Sequence, residues 1–245
     1  MRLLTYNIKL GGRGRETEIA AAIRGAQPDL VLLQEARYPD AVNRIADLAG
    51  LTQFGARPNE SLAFISREPV AYAAWHKPRV SRHAFLEVIP GGSRWRVFGV
   101  HLSAVHAAWT EQRRVFELRA LLRAIAEHQQ GPHVLAGDFN TLAPGELLDP
   151  RKLPARLRAL LWLSGGRVRW RTIQTILDAG YRDAFRSVHP DVVGSTFPTW
   201  DPHIRLDYVF VPASFVQDVT GCEVVNGETI RAASDHLPLV GDLRN

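Results

Sequence analysis

Short, unbroken apolar runs alternate along this chain with stretches whose apolar residues recur at helical spacing. Leu3–Ile8, Leu30–Gln34, Leu62–Ser66, Phe85–Ile89, Arg94–Leu102, His133–Ala136, Leu206–Val211, Cys222–Val225 and Leu237–Leu243 are predicted strands. Between them, Ile19, Ala22, Ile23 and Ala26 fall on one helical face. Thr110 is placed to cap a long helix whose apolar face is Val115, Leu118, Leu122 and Ile125. Helices and strands in this mixture predict an α/β sandwich in which helices cover packed sheets. No repeat, low-complexity tract or long linker interrupts the pattern, so a single domain over residues 1–245 is expected.

Many of the apolar runs also have a polar residue at one end. In HVLAGDFN, residues 133–140, the run leads into Gly137, Asp138, Phe139 and Asn140. Residues two apart on a strand share a face, so Asp138 and Asn140 point together and Phe139 turns to the core. Gly137 leaves room for a close approach. A carboxylate beside an amide oxygen suits a hard cation or a phosphate, although Asp-x-Asn at a strand end also serves as an ordinary turn. Other runs end at Asn7 (LLTYN), Glu35 (LVLLQE) and His101 (VFGVH), and two begin with Asp207 and with Asp235–His236. Strands running toward a site offer their last residues, and antiparallel neighbours offer their first. One rim is therefore expected to collect Asn7, Glu35, His101, Asp138, Asn140, Asp207, Asp235 and His236.

Composition narrows the function. The 245 residues suffice for a sizeable core. No run approaches the about 20 apolar residues of a membrane span, and MRLLTYNIKL reads as a strand rather than a secretory signal. A cytoplasmic protein without stable membrane association is expected. Cys222 stands alone, which excludes an intrachain disulfide and a cysteine zinc site. The net charge of +5, carried almost entirely by Arg, favours a polyanionic partner, though Arg also accumulates through genome composition. No H-E-x-x-H, P-loop or G-x-S-x-G motif is present, which argues against a zinc protease, an NTPase and a serine hydrolase.

Taken in order, TYNI, DLVLLQEA, FGVHLS, LAGDFN, IRLDYVFV and SDHLPLV resemble the endonuclease/exonuclease/phosphatase superfamily across nearly the whole chain. LDAGYRDAFR and STFPTWDP are similar to segments that precede the RLDY strand in many bacterial members. The resemblance implies a four-layer α/β/β/α sandwich of two packed mixed sheets flanked by helices, with the active site at the top of the sheets. It also implies a Mg²⁺ or Mn²⁺ ion held mainly by Glu35, with Asn7 and Asp235 nearby. Asp138 and Asn140 would position the attacking water and the phosphate. Asp207 would orient His236, which would contact the scissile phosphate or act as base. His101 would stabilise the phosphate or protonate the leaving group. A Glu partners this first His in the deoxyribonuclease branch, and Glu60 in NESLAFISR stands at a comparable position, with an ordinary surface Glu as the plainer reading. Asp235 and His236 are adjacent and would face opposite ways on a regular strand, so both reach one site only from an irregular lead-in.

The substrate is read from what surrounds these motifs. Abasic-site enzymes carry a tyrosine-bearing segment after the His101 strand, whereas this chain has EQRRVFELRALLRAI, as in deoxyribonuclease, sphingomyelinase and many bacterial members. From Pro150 to Leu177 the chain carries Arg151, Lys152, Arg156, Arg158, Arg167, Arg169 and Arg171 and no acid. LPARLRALLWL in this stretch is predicted as an amphipathic helix, and RVRWR interleaves Trp170 with arginines. Arg contacts phosphates and Trp stacks on bases, so Arg156, Arg158, Arg167, Arg169, Trp170 and Arg171 are candidate substrate contacts. The plainer alternative is a solvated helix whose Leu and Trp pack inward. The sequence thus points to a metal-dependent phosphodiesterase, a nuclease acting on DNA, with a lipid or small-molecule phosphoesterase as the alternative. A catalytically dead binding module would have lost Glu35, Asp138 or His236, and none is lost.

Overall fold

A computed structural model of the chain describes residues 1–79, 81–104, 108–128, 131–146, 149–152, 158 and 170–245. Two mixed sheets of six strands each pack face to face. The first sheet has the order β11 (Val219–Val224), β12 (Leu239–Leu243), β1 (Arg2–Asn7), β2 (Leu30–Gln34), β4 (Ala63–Ser66) and β3 (Gln53–Gly55). In the second the order is β5 (Val70–His76), β6 (Phe85–Pro90), β7 (Arg96–His101), β8 (His133–Asp138), β10 (Asp207–Pro212) and β9 (Tyr181–Asp183).

Each sheet is built around one parallel pair, β1 with β2 and β7 with β8. Helix α1 (Glu16–Ala26) makes the first crossover and α3 (Ala108–Ala124) the second. The strands flanking each pair are antiparallel to it. The C-terminal ends of the central strands and the N-terminal ends of their neighbours therefore share one rim. Crevices beyond strand C-termini are where α/β sheets place their sites.

Burial on both strand faces produces the layers. Leu3, Leu30, Leu32, Val134, Ala136, Val209 and Leu239 fill the space between the sheets. Leu4, Tyr6, Val31 and Leu33 turn outward and are covered by Ile19 and Ile23 of α1 and by Val42 and Ile45 of α2 (Pro39–Ala49). On the far side, Phe98, Val100, Leu135 and Phe210 pack against Leu118 and Leu121 of α3 and Ile173 and Ile176 of α4 (Arg171–Asp178). This is the expected four-layer arrangement.

Some expectations change. β3, β5 and β9 are not among the expected strands; each is an edge strand paired on one side only, as is β11, which is among them. β5 opens with six apolar residues in a row, VAYAAW, half of them alanine, and in the sheet none of its residues is fully buried. Among the described residues helix α3 runs from Ala108, so Thr110 lies within it. Leu121 joins Val115, Leu118 and Ile125 on the buried face, while Leu122 is half-buried. The predicted helix LPARLRALLWL lies outside the described residues, apart from Arg158.

Candidate active site

The rim collects the expected residues from both sheets. Asn7 ends β1, and Glu35 follows β2 with φ of 60°, a left-handed conformation that strains a side chain of this kind. His101 ends β7 and Asp138 ends β8, side by side in the parallel register. Asp207 opens β10 directly opposite Asp138. Asp235 and His236 sit in the bend before β12, which is the irregular lead-in that lets both reach the rim.

Asp138 is the hub. Asn7 Nδ2 donates to its Oδ2 at 2.9 Å and lies 3.5 Å from Glu35 Oε1. The same Asp138 oxygen is 3.9 Å from His101 Nε2 and 4.0 Å from His236 Nε2. Asp138 Oδ1 accepts the Asn140 backbone N–H at 2.8 Å. Asn140, at φ of 53°, donates its side-chain amide to the Leu102 carbonyl, which fixes the loop that follows His101. Its side chain is thus already held by the fold. Phe139 is fully buried, as the strand alternation requires. Gly137 gives room to a neighbouring strand: a Cβ there would stand 1.9 Å from the Val100 carbonyl of β7.

Glu35 Oε2 accepts the Leu10 N–H at 2.6 Å, and Lys9 Nζ pairs with Asp235 Oδ2 at 3.3 Å. Asn7, Glu35 and Asp235 therefore gather around the turn that follows β1. A second group, Asp138, Asp207 and His236, brings one ligand atom each within 4.8 Å of one another. Either group offers donors for a cation. In the second, His236 Nδ1 and Asp207 Oδ2 are joined at 2.8 Å, while Asp207 Oδ1 is buried without a partner.

Charge differs sharply around the two histidines. Burial opposes a proton on His236, but the Asp207 charge and hydrogen bond, together with Asp138 and Asp235, win and raise its pKa to about 10. His101 goes the other way. Burial first, then the neighbouring His83 ring and the positive charge of His236, Arg37 and Arg82, hold it well below the usual histidine range. Burial also lifts the Asp138 carboxyl above the usual range, against the pull of His236.

Several residues at the rim carry no mark in the reading above. Ser61 Oγ lies 2.5 Å from His101 Nδ1, whereas Glu60 turns to Lys77 at 3.4 Å. Glu60 thus pairs at the surface with Lys77, the plainer of its two readings, and the partner of His101 is Ser61 beside it. Ser61 immediately precedes the apolar run Leu62–Ser66, the same signal that marks Asp207 and Asp235. His83 stacks on His101 with ring centres 4.6 Å apart. Thr196 Oγ1 accepts the backbone N–H groups of Leu206 and Asp207, which sets the start of β10. Glu111 accepts Thr141 Oγ1 at 3.2 Å and the Thr172 N–H at 2.8 Å. Both flanks of the basic stretch therefore meet beside Asn140. Within that stretch Arg158, Trp170 and Arg171 are exposed, and Arg156, Arg167 and Arg169 lie outside the described residues.

The Endonuclease/Exonuclease/phosphatase family matches residues 4–236, which span every rim residue. The chain belongs to that family. Members of the family are phosphoesterases that use divalent metals. Two curated Vibrio vulnificus proteins, each described as a UPF0294 protein, are 29% identical over 155 and 156 residues, 58% of this chain. The match covers 53% of either relative, so the chain spans about half the length of the curated relatives it matches. Among solved structures, an AP endonuclease from Archaeoglobus fulgidus superposes with a TM-score of 0.76 at 19% identity, over 99% of both chains. A 3' phosphatase from Neisseria bound to a product DNA hairpin gives 0.74 at 19% identity over all of both chains. An endonuclease/exonuclease/phosphatase from Beutenbergia cavernae gives 0.70 at 26% identity, over all of this chain and 71% of that one. Among the described residues no helix is long and apolar enough to cross a membrane.

Proposed function

We propose that the chain is a divalent-metal-dependent phosphodiester hydrolase whose substrate is DNA. The observation that carries this reading is the convergence on Asp138 Oδ2 of Asn7 from one sheet and of two histidines, one braced by Asp207 and the other by Ser61. A phosphodiester is an anion that repels nucleophiles, so its hydrolysis needs positive charge at the phosphate and a base for water.

The donor set fits a hard divalent ion. Asn7, Glu35 and Asp235 supply amide and carboxylate oxygens, the ligands that Mg²⁺ and Mn²⁺ prefer. We assign the ion to this set because its donors are all oxygens, whereas the second set includes a histidine already paired with Asp207. The ion, when bound, would neutralise charge developing on the phosphate and the leaving oxygen. Asp138, with a raised pKa, is suited to take a proton from the attacking water as oxygen bonds to phosphorus and the ester bond breaks. Asn140 holds the loop beside it. His236, charged and braced by Asp207, binds the phosphate; it is already protonated and does not act as the base.

The choice of DNA draws on the basic stretch. Its flanks meet at Glu111 beside the rim, so Arg156, Arg158, Arg167, Arg169 and Arg171 belong to a segment rooted at the site, and Trp170 is available to stack on a base. The relatives in the fold include an AP endonuclease and a phosphatase bound to a DNA product, which agrees. A second reading, a lipid phosphoester, draws on Leu10 and Trp200, exposed at 70% and 69%. Both adjoin residues that hold Asp235. Purified protein with Mg²⁺ or Mn²⁺, offered plasmid, single-stranded DNA, RNA, abasic duplex and sphingomyelin, separates the readings. Turnover of DNA is expected; turnover of sphingomyelin alone would transfer the assignment to the lipid.

A further inference from the structure

We propose that Ser61 is the positioning residue that fixes His101 as a neutral imidazole with its Nε2–H turned to the substrate phosphate. The inference rests on the reading of the rim as a phosphoester site. It follows from where one hydroxyl proton can go. Ser61 Oγ accepts the Glu35 N–H at 3.2 Å, and a backbone N–H can only donate. The hydroxyl has one proton of its own. Among the described residues the acceptor within reach is His101 Nδ1, at 2.5 Å. A hydroxyl that accepted from both the Glu35 N–H and an Nδ1–H would leave its own proton unbonded among the described residues; with that proton on Nδ1, the ring proton belongs to Nε2.

The opposite side of the ring agrees. Nε2 lies 3.9 Å from Asp138 Oδ2. A lone pair on Nε2 would face that carboxylate, whereas an N–H faces it favourably. A second ring proton is opposed first by burial and then by the positive charge of His236, Arg37 and Arg82, while His83 stacks on the ring with planes 1° apart. The stack also fixes the ring plane, so Nε2 keeps its direction. His83 is itself held neutral by burial, which pushes its pKa down to about 4.

The chemical consequence separates the two roles that the family resemblance leaves open for His101. A neutral imidazole that gave up its Nε2 proton would be left as an imidazolate. His101 therefore donates a hydrogen bond to a phosphate oxygen and does not protonate the leaving group. A carboxylate at position 61 would instead stabilise an imidazolium. Ser61 thereby decides which of the two chemistries the histidine performs. It also couples the sheets, because its hydroxyl joins the Glu35 turn of the first sheet to β7 of the second, while its carbonyl accepts the Ala36 N–H at 2.9 Å.

Histidine ring-nitrogen NMR on the labelled full chain with saturating Mg²⁺ tests the tautomer directly. The expected spectrum has His101 protonated at Nε2 and bare at Nδ1 through neutral pH. In Ser61→Ala the two tautomers are expected to mix. The kcat for a small diester, bis(p-nitrophenyl) phosphate, should fall roughly tenfold with KM within about twofold, and Ser61→Thr should restore most of the rate. Working at saturating Mg²⁺ separates this loss from any disturbance of Glu35, which would appear as weaker Mg²⁺ affinity. A parent spectrum with His101 protonated at Nδ1, or a Ser61→Ala enzyme with unchanged kcat, would overturn the proposal. A parent protein that hydrolyses no phosphoester would defeat the functional reading, and the nitrogen spectrum would still decide the tautomer.

Discussion

His101 and His236 approach one oxygen of Asp138 at nearly equal distance, yet the fold makes them opposites. His236 comes from the first sheet and is held by Asp207 of the second. His101 comes from the second sheet and is held by Ser61 of the first. Each ring is thus braced across the sheet interface, and each brace sets the ring's charge. A carboxylate partner keeps His236 cationic; a hydroxyl partner, with three positive neighbours and a stacked ring, keeps His101 neutral. The side chain alone does not define the role. What lies on the far nitrogen does.

This contrast is broken most severely through the charged histidine. His236→Gln should lower kcat by about a hundredfold or more, because the cation facing the phosphate is lost. Asp207→Asn should reproduce much of that loss by turning the ring and removing the reason for its charge. The double variant should be little worse than His236→Gln alone, as expected for groups acting as a unit. Independent, multiplying defects in the kinetics of the three variants would mean that the two residues do not form a pair.

The neutral side is sharpened by acid. His83 has a folded pKa of about 4, below the about 6.5 of an unfolded histidine. His101 is shifted in the same direction. Between these values the unfolded chain binds more protons, so stability is complete above about pH 6.5 and is lost as pH falls toward 4. His83→Phe, which keeps a ring for the stack, should flatten this acid limb in thermal melts. An acid limb identical to the parent's would show that His83 is not the group that titrates. On the His236 side the sign reverses: that interaction is fully present below about pH 6.5 and fades only as pH rises toward 10.

Away from both histidines, the basic stretch should matter for long substrates only. Replacing Arg167 and Arg169 by Ser should weaken duplex binding and reduce the log–log salt slope by roughly two. The rate on a small diester should hardly change. An unchanged slope on folded protein with His236→Gln in the background would point to a solvated face, and to the small-molecule or lipid phosphoesterase.

Much of the rim was legible in the sequence because its signal is local. A polar residue that abruptly ends or begins an apolar run has few reasons to be there, and Asn7, Glu35, His101, Asp138, Asp207 and Asp235–His236 all show it. Ser61 carries the same mark before β4, but serine is so common at strand ends that the residue next to it, an acid, drew attention instead. His83 carries no such mark; its stack on His101 joins the lead-in to β6 with the end of β7, which only the sheet brings together. Gly137 shows how a correct local reading can have a different cause: the room is there, but β7 fills it. β3 and β9 were illegible because three residues are too few to show a strand period, whereas β5 does carry an apolar run, VAYAAW. Glu111 and Glu117, buried and multiply bonded on α3, look like ordinary helix acids in sequence.

The central claim is that this rim hydrolyses phosphodiesters with a divalent ion held at Glu35. The direct measurement is the hydrolysis rate of a DNA phosphodiester by the parent and by Glu35→Gln, each with Mg²⁺ or Mn²⁺ and each with excess EDTA. The account predicts turnover in the parent with metal, none with chelator, and a loss of orders of magnitude in a Glu35→Gln variant that remains folded by circular dichroism. Full activity in EDTA, or a Glu35→Gln enzyme as fast as the parent, would contradict it.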